Sequence, residues 1–107
     1  MREMPKILIV EDDGIIAKDL QNILTSIGYV VPGIASNADE AVSKFDFVKP
    51  DLIIMDIVLK GYSDGIETAS RLRSKRNVPV VYLTAHTDDM TLVRAKITEP
   101  FGYILKP

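Results

Sequence analysis

The chain has 107 residues, with thirteen basic and fifteen acidic side chains for a net charge of −2, one histidine and no cysteine. That length supports a single hydrophobic core, and 47% apolar with 26% charged residues is a globular rather than a disordered composition. Disulfide staples, thiol nucleophiles, Cys-ligated zinc and multi-His metal sites are excluded. The absence of a basic excess argues against a nucleic-acid-binding surface, because phosphate contacts need one. No apolar run approaches membrane-spanning length, and Met1-Arg2-Glu3-Met4-Pro5-Lys6 lacks the apolar stretch of a secretory signal. A cytoplasmic protein without a membrane partner is expected.

In chain order, Lys6-Ile7-Leu8-Ile9-Val10 reads as a buried strand that runs into acid: Glu11, Asp12, Asp13. Ile16, Leu20, Ile23, Leu24 and Ile27 then recur at helical spacing as a one-sided apolar stripe, and Gly28 supplies the left-handed stop. Tyr29 to Ala35 is a second strand; Pro32, which cannot donate a hydrogen bond, places it at a sheet edge. Asn37 and Glu40 form a capping box for a second helix with Ala38, Ala41, Val42 and Phe45 on its inner side. Pro50-Asp51 turns the chain into Leu52-Ile53-Ile54-Met55, a short apolar run that suits a strand buried on both faces and ends at Asp56.

A loop with Gly61 and Gly65 leads into a third helix, with Asp64 and Glu67 as a capping pair and Ile66, Ala69 and Leu72 facing inward. Arg71, Arg73, Lys75 and Arg76 read as a solvated helix end beside the C-terminal dipole. Val78 to Leu83 is a fourth strand ending in Thr84, a helix from Thr87 or Asp88 to about Ile97 follows, and Gly102-Tyr103-Ile104-Leu105 is a fifth strand ending in Lys106-Pro107. Strand and helix alternate throughout, which predicts βαβ units in one parallel sheet with helices on both faces.

Such a sheet gathers its strand ends at one edge, where open α/β folds bind their ligands. Glu11 and Asp12, then Asp56, Thr84 and Lys106, all stand at those ends. Each has an ordinary explanation alone; their common placement does not follow from the fold. Three carboxylates with a lysine make a hard, oxygen-rich site suited to Mg²⁺ and phosphate oxygens, and a carboxylate can serve as nucleophile to form an aspartyl phosphate. In that chemistry Asp56 attacks phosphorus, Asp12 and Glu11 hold Mg²⁺ directly or through water, Lys106 offers a point charge and Thr84 a hydroxyl to phosphoryl oxygens.

The segments Ile7-Leu8-Ile9-Val10-Glu11-Asp12-Asp13, Asp51 to Gly65, Val80-Val81-Tyr82-Leu83-Thr84-Ala85 and Gly102-Tyr103-Ile104-Leu105-Lys106-Pro107 occur in that order. Together they resemble the receiver domain of two-component response regulators (CheY-like) from Lys6 to Pro107. The resemblance implies a flavodoxin-like, doubly wound five-stranded sheet of order 2-1-3-4-5. It implies that Asp56 accepts a phosphoryl group from a sensor histidine kinase with Mg²⁺, that the Val58 carbonyl completes the metal shell, and that the Lys106-Pro107 bond is cis. It also implies a switch: Thr84 moves toward the phosphoryl group, Tyr103 turns inward, and the face of the fourth helix and fifth strand changes for an output domain or downstream partner. Val58 and His86, each two residues past a site residue, flank the path of attacking water. On this view the domain catalyses only its own phosphorylation and dephosphorylation and is not otherwise an enzyme.

Two other readings compete. A Mg²⁺-dependent phosphohydrolase with an Asp nucleophile has two aspartates separated by one residue at the end of the first strand, where this chain has Glu11-Asp12-Asp13 and carries its candidate nucleophile on the third strand. A non-phosphorylated interaction module lacks one of Asp12, Asp56, Thr84 or Lys106, and none is missing. One departure from the resemblance stands out. Receiver domains continue into a fifth helix after Lys-Pro, whereas these 107 residues end at Pro107. The expectation is a receiver domain over 1–107 that is either part of a longer chain or covered along an apolar strip by a second subunit, as in a homodimer.

Overall fold

The computed structural model describes residues 4–57, 65–84 and 102–105. The elements are β1 (Lys6–Val10), α1 (Gly14–Ser26), β2 (Val30–Ala35), α2 (Ala38–Val48), β3 (Leu52–Asp56), α3 (Gly65–Lys75), β4 (Val80–Thr84) and β5 (Gly102–Leu105). Every strand pair is parallel and the sheet order is β2-β1-β3-β4-β5, as expected. The helix expected between Thr87 and Ile97, together with Val58, Asp64, His86 and the Lys106-Pro107 bond, lies outside the described residues. No helix among the described residues is long and apolar enough to cross a membrane.

Alternation along each strand explains why the central strands are apolar throughout. Leu8, Val10, Ile53, Met55, Val80 and Tyr82 point to one face, where they pack with Ala41 and Phe45 of α2 and Ile66, Ala69 and Leu72 of α3. Ile7, Ile9, Ile54 and Leu83 point to the other, where they meet Ala17, Leu20 and Leu24 of α1. Both sets are removed from water, which is why Ile7 to Val10 and Ile53 to Met55 are apolar on both faces.

Local signals act as the sequence suggests, with three refinements. After α1, the Gly28 N–H donates to the Thr25 carbonyl (3.1 Å) and the Tyr29 N–H to the Leu24 carbonyl (3.0 Å). This is the paired hydrogen-bond pattern of a Schellman stop, and Gly28 sits at its left-handed position with φ of 105°. At α2, Asn37 Oδ1 accepts from the Glu40 N–H (2.9 Å) as a cap should. The Glu40 carboxylate, however, reaches back to the Ser36 amide (2.9 Å) and hydroxyl (3.0 Å), and the Ser36 amide bond is the main cause that holds its pKa below the ordinary value. In β2, the pairing slips by one residue between Lys6↔Val30 and Leu8↔Gly33, a bulge that spans Pro32 on what is indeed an edge strand.

The third refinement concerns α1. Ile23 and Ile27, placed by spacing in the inward stripe, are 58% and 65% exposed. The sheet covers only the arc centred on Ala17, Leu20 and Leu24. One flank of the helix is turned to β2, where the Gln21 side-chain amide donates to the Val31 carbonyl (3.3 Å); Ile23 lies on the opposite flank, looking away from β2.

Candidate functional site: an acidic cluster at the strand ends

Strand register places the site. Val10 pairs with Met55, Asp56 with Leu83, and Leu83 with Ile104. Glu11 and Asp56 therefore stand at one level of the sheet, while Thr84, paired with Leu105, stands one residue further along the same edge. Lys106 follows Leu105 in sequence but lies outside the described residues, as does Val58. Tyr103 is in β5, opposite Tyr82.

The three acids that follow β1 have three different placements. The Glu11 N–H donates to the Ala35 carbonyl (2.9 Å), prolonging the β1–β2 ladder by one residue, and Glu11 is only 1% exposed. Asp12 is half-buried. Asp13 is turned away to cap α1: its Oδ1 accepts from the Ile15 N–H (2.9 Å) and the Ile16 N–H (3.2 Å), satisfying donors that a helix start leaves open. Asp13→Ala is accordingly expected to cost about 1 kcal/mol of stability through the lost cap while leaving Mg²⁺ affinity within about threefold of the parent. A urea melt and a metal titration read the two effects separately, and a large loss of metal affinity would show that Asp13 belongs to the cluster.

Asp56 ends β3 at 2% exposure. Just past it, the Ile57 N–H donates to the Leu83 carbonyl (3.1 Å), so β3 stays paired with β4 beyond the aspartate. Carboxylate oxygens of Glu11, Asp12 and Asp56 lie within 4.8 Å of one another. Two buried acids and a half-buried third at that spacing repel each other and have lost much of their hydration, a placement that a nearby cation relieves. The donor set is all oxygen. Two ligands of one Mg²⁺, each at ~2.1 Å, are at most ~4.2 Å apart, so a cluster of this size could hold such an ion.

All three cluster residues were legible in the sequence. Gly65, read there as a loop glycine ahead of the third helix and as the end of the Asp51 to Gly65 segment, opens α3 with its N–H donating to the Ile57 carbonyl (2.7 Å).

A model of the response regulator receiver domain matches residues 7–107. The chain belongs to the response regulator receiver family. Among curated relatives, this receiver domain is 39% identical over 102 residues to the transcriptional regulatory protein PdtaR of Mycobacterium tuberculosis, covering 95% of this chain and 49% of that one. It is 34% identical over 102 residues to the transcriptional regulatory protein ResD of Bacillus subtilis, covering 95% and 42%. The receiver thus spans about half the length of these relatives or less. Among solved structures it resembles the signal receiver domain of a modulated diguanylate cyclase from Desulfovibrio desulfuricans, with a TM-score of 0.92, 43% identity and coverage of 98% of this chain and 83% of that one. A response regulator from Clostridium difficile gives a TM-score of 0.89 at 30% identity, covering 97% and 84%. The family places this receiver in two-component signal transduction.

Proposed function

We propose that this receiver is a phosphorelay switch that accepts a phosphoryl group on Asp56 from the phosphohistidine of a sensor histidine kinase. The observation that carries the reading is the placement of Asp56: a carboxylate at the end of the central strand, 2% exposed, with Glu11 and Asp12 within 4.8 Å. An oxygen of Asp56 attacks phosphorus in line with the departing imidazole; the P–O bond forms as the P–N bond breaks, leaving an acyl phosphate. Glu11, Asp12 and Asp56, with the Val58 carbonyl, would hold Mg²⁺, which supplies positive charge to the phosphoryl oxygens. Lys106 adds a point charge and Thr84 a hydroxyl to the same oxygens.

The switch then follows from charge. A dianionic group now stands where a single carboxylate stood, and Thr84 and Tyr103 respond to it from β4 and β5. The altered face of β5 and the expected fourth helix is read by an output domain or downstream protein, with no direct contact of this domain to nucleic acid or membrane, and a cytoplasmic setting suits such a relay. The domain's only catalysis is of its own phosphorylation and dephosphorylation.

Incubation with acetyl phosphate and intact-mass analysis tests the reading. The chain should gain the mass of one phosphoryl group with Mg²⁺ and none when the metal is chelated. Equal labelling in both conditions would remove the metal from the account, and no labelling in either would remove the phosphoacceptor.

A further inference from the structure

The backbone of α3 begins against the strand end that carries Asp56. The Gly65 N–H donates to the Ile57 carbonyl at 2.7 Å, spending a donor that a helix N-terminus otherwise leaves open. A Cβ at residue 65 would overlap the Asp56 carbonyl oxygen and would stand 2.7 Å from the Asp56 carbonyl carbon and 2.9 Å from the Ile57 Cα. Those neighbours are backbone, so no flexible side chain can swing aside. The closeness of this backbone by itself requires glycine here.

We propose that Gly65 is a positioning residue for the Asp56 carboxylate: its bare Cα lets α3 lock against the end of β3 and fixes Asp56 relative to Glu11 and Asp12. The locking contacts come from two directions. Ile57 donates to Leu83 of β4 on one side and accepts from Gly65 on the other, while Glu11 is held separately through Ala35 of β2. An added methyl group at residue 65 must either push α3 outward, breaking the bond to Ile57, or displace the Asp56 peptide. In both cases Asp56 shifts against carboxylates that belong to a different strand and do not follow it. A Mg²⁺ site demands near-octahedral geometry at short bond lengths and punishes such a shift.

The proposal rests on the reading of Glu11, Asp12 and Asp56 as a Mg²⁺ site, and the test separates the two. Calorimetric Mg²⁺ titrations of the parent, Gly65→Ala and Leu72→Ala should be run at a temperature where all are folded. Leu72 is a buried α3 core residue and controls for general destabilisation of the helix. Gly65→Ala should lose roughly 10- to 100-fold in Mg²⁺ affinity, the range for residues that orient ligands, while Leu72→Ala stays within about threefold of the parent. Gly65→Ala binding like the parent, or Leu72→Ala losing as much, would overturn the proposal. Two metal-free readouts stand apart from the metal reading. Amide NMR signals of Asp56 and Ile57 should move in Gly65→Ala and stay in place in Leu72→Ala. In the unsubstituted chain the Gly65 amide should resist hydrogen exchange as strongly as that of Ile57; rapid exchange would show that the lock does not exist, even if Gly65→Ala fails to fold. A parent chain that binds no Mg²⁺ yet passes both would refute the metal site and leave the lock standing.

Discussion

Asp12→Asn is expected to lower Mg²⁺ affinity by more than ~100-fold, and Glu11→Gln by roughly 10- to 100-fold, the range typical of groups that support a metal without binding it directly. The difference follows from depth. Glu11 is almost wholly buried and tied into the β1–β2 ladder, whereas half-buried Asp12 stands nearer the opening, where an ion keeps some of its waters. The same cluster gives a stability signature. Neutralising one of three carboxylates within 4.8 Å removes like-charge repulsion, so metal-free Asp12→Asn should melt above the metal-free parent. Mg²⁺ at 100 times its dissociation constant should then raise the parent by about 2.7 kcal/mol and the variant hardly at all. A titration in which Glu11→Gln loses more affinity than Asp12→Asn would reverse the two roles.

The largest effect on the fold is expected at Tyr82. Its side chain is 0% exposed and lies in the core between the sheet, α2 and α3, in one cluster with Phe45, Met55, Ile66, Ala69 and Leu72. Truncating an aromatic in such a position removes its transfer free energy and leaves a cavity, together about 3–5 kcal/mol. Total stabilities of ~5–15 kcal/mol are usual, so Tyr82→Ala should sit near the edge of folding. At 4–8 °C per kcal/mol for a domain of this size, Tm should fall by roughly 12–40 °C. Tyr82→Phe keeps the ring and should cost no more than about 1.5 kcal/mol. Equal losses in the two variants would mean that the hydroxyl, not the ring volume, holds this part of the core.

Most of the fold could be read from the chain because the relevant signals are local or periodic. Ile7 to Val10 and Leu52 to Met55 announce strands buried on both faces, Gly28 stops α1, Asn37 caps α2, and Pro32 marks the edge strand. The candidate site was legible for the same reason: a polar residue directly after an apolar run marks a strand end, and a parallel sheet collects those ends at one edge.

What the chain did not disclose depends on distance in space. Ile23 and Ile27 fit the helical period, but periodicity does not say how wide an arc of α1 the sheet covers. Glu11, Asp12 and Asp13 are indistinguishable as a run of acids; the start of the helix one residue later turns Asp13 into a cap. Gly65 resembles any loop glycine until the Asp56 carbonyl is seen against its Cα.

The central claim is that Asp56 alone accepts the phosphoryl group. Labelling the parent with acetyl phosphate and Mg²⁺, trapping the acyl phosphate by borohydride reduction and mapping the peptides by mass spectrometry tests it most directly. The modification should fall on the peptide that contains Asp56, at that residue only, and Asp56→Asn should carry none. Modification of Asp12 or Asp13 in the parent, or full labelling of Asp56→Asn, would contradict the account.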